Sequence, residues 1–205
     1  MMTVFLAVIA LASAIITICA KTFKNNSLQY VFKPLTMAAI ILTAALNVSA
    51  PPLFYQTMII TGLIISTVGD VFLVDSKRFV QGLSSFLLAH ICFAAAFSSP
   101  PNFPALPFYL LYAALAFFIL RKNLGKLKIP VFVYTLAVTT MSWLALSRYL
   151  ELNDDKTLLA FVGTIFFVVS DSLLAFNKFK SSFSFAEIFI LSTYFIAQWL
   201  IALSV

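Results

Sequence analysis

The sequence has little charge, little glycine, one histidine and two cysteines. Only 10% of its 205 residues are Asp, Glu, Lys or Arg, whereas 62% are hydrophobic. A soluble globular domain usually has about a quarter of its residues charged. The composition therefore excludes a water-soluble protein. Cys19 and Cys92 lie inside apolar runs and lack the spacing of metal ligands, so neither a disulfide nor a zinc site is predicted.

Eight long apolar segments make up most of the sequence. Most are close in length to the ~17–25 residues that a transmembrane helix requires. A transmembrane β-barrel would show weaker alternating segments of ~10 residues instead. The sequence predicts an all-α polytopic bundle of eight membrane spans in a single domain, residues 1–205. The predicted spans are Thr3–Ala20, Pro34–Ala50, Leu53–Val74, Phe79–Phe97, Pro104–Leu120, Pro130–Ser147, Thr157–Phe176 and Phe183–Leu203.

Lysine and arginine are concentrated on one side of the predicted topology. Eleven of the thirteen lie in the first, third, fifth and seventh loops, and only Arg148 and Lys156 lie elsewhere. Because these residues collect on the cytoplasmic side, both termini are predicted on the non-cytoplasmic side. The net charge of +6 is then a feature of topology, so no nucleic-acid partner is predicted. Without an organelle signal, we expect the bacterial inner membrane.

Two aspartates lie within the predicted spans, where a charged side chain costs ~2.5–3.5 kcal/mol at the centre. Asp70 and Asp171 are each close to the cytoplasmic end of a span, and both follow the pattern small-Asp-x-x-Leu. They are 101 positions apart, almost half the chain, which is compatible with a 4+4 parallel repeat that places both at one side. Few other positions match at that offset.

Other polar side chains are also predicted to face the bundle interior. Glu187, Tyr194 and Gln198 fall on one face of the eighth span, with Tyr194 and Gln198 each within about 20° of Glu187. His90 lies in the fourth span and Lys33 at the start of the second. Packing inside the core is an alternative role for His90, and extension of the side chain to the interface is an alternative for Lys33.

The carboxylates also have a structural interpretation, in which they only form ion pairs. Glu187 would pair with a lysine one or two turns away, and each aspartate with a lysine near the same end of the bundle. The lysines considered are Lys178 and Lys180 for Glu187, and Lys33, Lys77 and Lys178 for the aspartates. Two intramembrane carboxylates in matched surroundings favour a functional role.

Six motifs, in order along almost the whole chain, resemble the YhhN family of integral membrane lysoplasmalogenases. They are Phe32-Lys33-Pro34-Leu35, Gly69-Asp70-Val71-Phe72-Leu73, Phe79 with Gly82-Leu83 and Phe86 to His90, Tyr134 with Met141, Ser170-Asp171-Ser172-Leu173-Leu174-Ala175, and Tyr194 with Ala197-Gln198. The resemblance implies hydrolysis of the vinyl ether bond of a lysophospholipid substrate held in membrane lipid. The implied products are a fatty aldehyde and glycerophosphoethanolamine or glycerophosphocholine, and the scheme requires no cofactor or metal.

The residues suit this chemistry. Vinyl ether hydrolysis delivers a proton to the β carbon and gives an oxocarbenium ion that water traps. One protonated carboxyl would act as the general acid, and one ionised carboxylate would stabilise positive charge and direct water. Asp70 and Asp171 are predicted as this catalytic pair, with the two roles left unassigned. Supporting or substrate-binding roles are predicted for Lys33, His90, Tyr134, Ser170, Glu187, Tyr194 and Gln198, with Lys33 at the lipid phosphate.

A membrane transporter is the main alternative function. Asp70 and Asp171 would then be protonation sites of a proton-coupled or small-molecule carrier. A carrier is expected to place such groups near the bilayer midplane, on helices broken by Gly or Pro. The predicted position of the aspartates near one side favours the hydrolase.

Overall fold

The described residues form eight α-helices joined by short connections. A computed structural model describes residues 2–46 and 52–205, and no strand occurs within these ranges. Three connections contain a single 3-10 turn. The helices are α1 (Met2–Thr22), α2 (Asn26–Ala45), α3 (Leu53–Val74), α4 (Phe79–Ala96), α5 (Leu106–Leu120), α6 (Lys128–Leu152), α7 (Asp155–Phe179) and α8 (Ala186–Leu203). The prediction of an all-α fold is confirmed.

All eight helices, together with their flanking turns, are long and apolar enough to cross a membrane. Many large apolar side chains point outward, and α5 buries only Ala113 and Leu120. So much exposed apolar surface would be unfavourable in water, whereas lipid tails solvate it. The eight-span prediction is therefore confirmed. The sidedness of the termini and the 4+4 repeat stay predictions.

Helix packing places α8 in the middle of the bundle. The sequential pairs α1–α2, α3–α4 and α7–α8 pack along their lengths, and α8 also contacts α1, α2 and α3. By contrast, α5 is peripheral and packs on α6 and α7. Side chains from α2, α3, α7 and α8 consequently meet in one region of the core.

Two glycines allow α3 and α4 to approach closely beside Asp70. A Cβ atom on Gly69 would lie 2.9 Å from the Phe86 ring and 3.3 Å from the Gly82 carbonyl oxygen. A Cβ atom on Gly82 would lie 3.3 Å from the Gly69 carbonyl oxygen. Only glycine fits at both positions without moving the helices apart, so this contact fixes α3 against Phe86.

The second helix begins two turns before its predicted start. It begins at Asn26, behind an Asn25 cap that accepts a hydrogen bond from the backbone of the first turn, and Pro34 lies inside it. The prediction that Pro34 begins the span was wrong, because hydropathy locates only the apolar part of a helix that continues through polar interfacial residues. The described part of α2 ends at Ala45; the rest of the predicted Pro34–Ala50 span reaches beyond the described residues.

Other helix ends differ from the predicted ends for the same reason. The helices α6 and α7 extend through polar residues to Leu152 and Phe179, beyond the predicted Ser147 and Phe176. Asp171 thus precedes the last residue of its helix by eight positions, whereas Asp70 precedes the end of α3 by four. Two helical turns therefore follow Asp171 toward that end of the bundle.

Candidate active site

Asp70 is held by side chains from two other helices. Its Oδ1 atom lies 2.9 Å from the Lys33 Nζ atom of α2. Its Oδ2 atom accepts a hydrogen bond of 2.5 Å from the Tyr194 hydroxyl of α8. Asp70 is 1% exposed and Lys33 7% exposed. A buried carboxylate requires such partners, because its desolvation costs several kcal/mol.

The Lys33 contact bears on the roles that the sequence predicted for this residue. The structural interpretation included an ion pair between Lys33 and Asp70, and the structure contains it. The ammonium group lies on the carboxylate, inside the bundle, rather than extended to the interface. A role for Lys33 at a lipid phosphate therefore has less structural basis than a role in holding Asp70 ionised.

Asp171 has different neighbours. Its Oδ2 atom accepts a hydrogen bond of 2.8 Å from the Tyr134 hydroxyl of α6. The His90 Nε2 atom of α4 lies 3.6 Å from the same oxygen, beyond ordinary hydrogen-bond length. Asp171 is slightly more open than Asp70, with 12% of its side chain exposed. No lysine or arginine in the described ranges lies within ion-pairing distance of it.

Aromatic rings pack around the side chains that contact the two aspartates. Phe86 and Phe167 each pack edge-on against Tyr194, with ring centroids 5.7 Å away. Phe167 and Tyr134 pack edge-on against His90, at 4.7 Å and 5.1 Å. His90 is fully buried, and neither ring nitrogen has a hydrogen-bond partner among the described residues. Its environment fits the packing interpretation as well as a place beside Asp171.

Both aspartates line one cavity at the end of the bundle where α3 and α7 finish. This polar cavity has a volume of about 210 Å³ and lies among α1, α2, α3, α4, α7 and α8. Both predicted aspartates line it, and their role as a catalytic pair stays a prediction. Its polar lining consists of Thr17, Lys21, Gln29, Lys33, Asp70, Ser76, Ser170, Asp171, Asn177, Lys178, Glu187 and Tyr194.

Asp171 also lines a second, apolar cavity. Its volume is about 440 Å³, and one wall is formed by α5. Five residues line both cavities, and the boundary that they share is called the junction: Leu73, Phe79, Phe86, Asp171 and Leu174. The rest of the apolar cavity is lined mainly by Leu83, Phe108, Leu111, Tyr112, Leu115, Ala116, Ile119, Leu120, Val131, Tyr134, Val138 and Phe179.

The remaining predicted site residues have distinct positions. Glu187 lines the polar cavity and lies 4.0 Å from Lys21 of α1, so the predicted partners Lys178 and Lys180 were wrong. The helix α1 packs on α8, which sequence spacing does not show. Ser170 donates a hydrogen bond of 3.0 Å to the Ile190 carbonyl and joins α7 to α8. Gln198 is fully buried one turn from Tyr194 and lines neither cavity.

The sequence did not identify Phe167, which packs against Tyr194 and His90. The chain has 23 phenylalanines, so a single one gives no signal. Phe86 was predicted to face the bundle interior, because it lies four positions before His90 on the same face of α4. Within the described residues, no group of three His, Cys, Asp or Glu side chains is arranged to hold a metal ion.

Comparison with known proteins places this chain among related membrane proteins. The YhhN family profile matches residues 28–205. The human protein named lysoplasmalogenase TMEM86A is 37% identical over 157 residues, covering 72% of this chain and 65% of that protein. The pig lysoplasmalogenase TMEM86B is 32% identical over 153 residues, covering 74% and 64%. An Escherichia coli membrane protein named YhhN is 26% identical over 183 residues, covering 86% of both chains.

The matched part of the chain spans less than two thirds of the length of these two lysoplasmalogenases. No solved structure matches this chain.

The Lys33–Asp70 pair generates a stability prediction. Replacing Lys33→Met leaves a buried carboxylate without its cation and is expected to cost about 3–5 kcal/mol of unfolding free energy. The double variant Lys33→Met with Asp70→Leu removes both charges, so it should unfold at a higher temperature than Lys33→Met alone. Thermal unfolding of the purified protein in detergent measures this difference.

The matched control is Lys180→Met, which removes an exposed lysine at the same end of the bundle. It should leave the melting temperature almost unchanged. A double variant that is no more stable than Lys33→Met alone would show that the ion pair is not the interaction that holds Asp70.

Proposed function

This chain belongs to the YhhN family, and we propose that it is a membrane hydrolase that cleaves the vinyl ether bond of lysoplasmalogens. The products are a fatty aldehyde and glycerophosphoethanolamine or glycerophosphocholine. One observation carries the proposal: Asp70 and Asp171 line a single polar cavity, and Asp171 also lines the adjoining apolar cavity. The names of the TMEM86A and TMEM86B relatives support this substrate class.

The two cavities suit the two parts of a lysolipid. The apolar cavity is within the ~300–1,000 Å³ range of small-molecule sites and takes the hydrocarbon chain. The polar cavity takes the glycerol and its phosphate-linked headgroup. In this placement the vinyl ether, which joins chain to glycerol, lies at the junction beside Asp171. Asp70 faces it from the polar side.

The unequal surroundings of the aspartates suggest their roles. Ionised Asp70 forms a neutral pair with Lys33 and accepts a hydrogen bond from Tyr194. Asp171 lacks such a cation and lies against the apolar cavity, so we assign the protonated carboxyl group to Asp171. The β carbon of the vinyl ether lies on the hydrocarbon side of the carbon that is bonded to the ether oxygen. The general acid must therefore lie on the side of the apolar cavity, where Asp171 is.

The reaction then balances with the two carboxyl groups and one water. Asp171 transfers its proton to the β carbon, and the resulting oxocarbenium ion is stabilised by the negative charge of Asp70. Water adds to the carbon bonded to oxygen and gives its proton to Asp70, forming a hemiacetal. Asp70 returns that proton to the departing glycerol oxygen while the hemiacetal hydroxyl reprotonates Asp171, and the aldehyde forms. Both carboxyl groups return to their starting states.

A carrier function has no comparable support. The helices α3 and α7 run without a break past both aspartates. The curated relatives reported above include two named as hydrolases and none named as a transporter. We place the protein in the bacterial inner membrane with both termini on the non-cytoplasmic side, following the distribution of lysine and arginine. The polar cavity then opens toward the cytoplasm.

Loss of either carboxyl group tests the proposed function. Purified protein is incubated with a lysoplasmalogen, and aldehyde release is measured for the native sequence, Asp70→Asn and Asp171→Asn. Because general acid–base groups typically contribute 10²–10⁴-fold, each variant should lose at least ~100-fold in kcat. Asp75→Asn is the matched control, since Asp75 is a partly exposed aspartate that caps the turn after α3. Folded variants with full activity would contradict the mechanism, and no aldehyde from the native protein would contradict the function.

The apolar cavity generates a prediction about chain length. Ala116 lines this cavity on α5, so Ala116→Phe shortens the space available to the hydrocarbon chain. The rate with a long-chain lysoplasmalogen should fall about tenfold relative to a short-chain one, measured as the ratio of kcat/KM values. Ala114→Phe, on the exposed face of the same helix, should leave the ratio unchanged. Equal ratios for the two variants would show that the chain binds elsewhere.

A further inference from the structure

The polar cavity carries charged groups that the proposed hydrolysis does not use. Lys21 of α1, Lys178 of α7 and Glu187 of α8 line it together with the two aspartates. We infer that these three side chains form a subsite for a zwitterionic headgroup, with the lysines at the phosphate and Glu187 at the ammonium group. This inference deepens the proposed function and rests on it, and it makes Glu187 a specificity-determining residue.

Helix geometry places this subsite between the aspartates and the end of the bundle where α7 finishes. Lys178 follows Asp171 by seven positions, which is about two turns, 10.5 Å along the axis, on nearly the same face. Glu187 precedes Tyr194 by seven positions on α8. Because α7 leads toward this end of the bundle and α8 leads away from it, both residues lie on the same side of the catalytic groups.

The direction of the side chains gives the order of the charged groups with distance from the aspartates. Side chains on a helix point toward its N-terminus. The Lys178 ammonium therefore extends back toward Asp171, whereas the Glu187 carboxylate extends away from Tyr194. A lysophospholipid with its ether at the junction has its phosphate next and its ammonium group last. The predicted positions of the lysine and the glutamate follow that order.

The ion pairs in the cavity leave these charges available. Lys33 is buried against Asp70 at 2.9 Å, so its charge is already balanced. Lys21 and Glu187 are 4.0 Å apart, with 29% and 39% of their side chains exposed, which is a loose contact at the limit of ion pairing. Lys178 is exposed, with its ammonium 5.0 Å from the centre of the Phe79 ring at the junction. An ammonium group at Glu187 and a phosphate between the lysines would complement all three charges.

The test measures binding without requiring turnover. The probes are two lysolipids with a saturated alkyl ether in place of the vinyl ether, one with a phosphoethanolamine headgroup and one with a bare phosphate. Their dissociation constants are measured by calorimetry with the purified full chain in detergent. Glu187→Gln should raise the dissociation constant of the phosphoethanolamine probe about fivefold, which is ~1 kcal/mol of binding free energy. The same variant should leave the phosphate probe unchanged or tighten it, because Lys21 loses its neutralising neighbour.

Two further variants complete the design. Lys178→Gln should raise the dissociation constants of both probes about fivefold, since both contain the phosphate. Glu151→Gln is the matched control, because Glu151 is an exposed carboxylate at the opposite end of the bundle, where it accepts a hydrogen bond from Ser99. It should change neither constant.

The outcomes separate the inference from the proposed function. Glu187→Gln affecting both probes equally, or neither, would overturn the headgroup subsite, as would failure of the native protein to bind either probe. If the probes show the expected pattern but the native protein releases no aldehyde from a lysoplasmalogen, the subsite stands and the hydrolase proposal fails.

Discussion

The contact of Asp70 with Lys33 and Tyr194 is the interaction on which the site depends. An ionised carboxylate inside an apolar bundle is unstable unless a cation and hydrogen-bond donors surround it. Lys33 and Tyr194 provide these from α2 and α8. The consecutive helices α2 and α3 and the last helix, α8, are thereby joined at one carboxylate group. The close Gly69–Gly82 contact fixes Asp70 relative to Phe86, so the carboxylate is held on a rigid element beside the junction.

Asp171 has fewer polar partners than Asp70, and the proposed mechanism depends on this difference. It accepts a hydrogen bond from Tyr134, lies near His90 and lines the apolar cavity. Two carboxyl groups in unlike environments can differ in protonation, as acid–base catalysis requires. Phe86 lines both cavities, next to the proposed position of the oxocarbenium ion. In the inferred headgroup subsite, the charged groups further out select the headgroup.

The sequence predicted the eight helices and the inward-facing carboxylates because both follow from hydropathy and from the cost of charge in lipid. It did not predict that α2 begins at Asn26, since polar interfacial residues continue a helix without any hydropathy signal. The Lys21–Glu187 contact was missed because it depends on α1 packing against α8. The contacts among the aromatic rings and the division into two cavities depend on how the helices pack together. The sequence of a single span does not contain this information. Lys33 was identified, but its partner was one of several considered.

The most direct test is a structure of the protein with a saturated alkyl-ether lysophospholipid bound in a lipid nanodisc. We expect the ether oxygen to lie between the Asp70 and Asp171 carboxyl groups, within hydrogen-bond or water-bridged distance of both. The hydrocarbon chain should follow the apolar cavity along α5. A ligand that contacts only one of the two aspartates, or binds with its ether outside the junction, would contradict it.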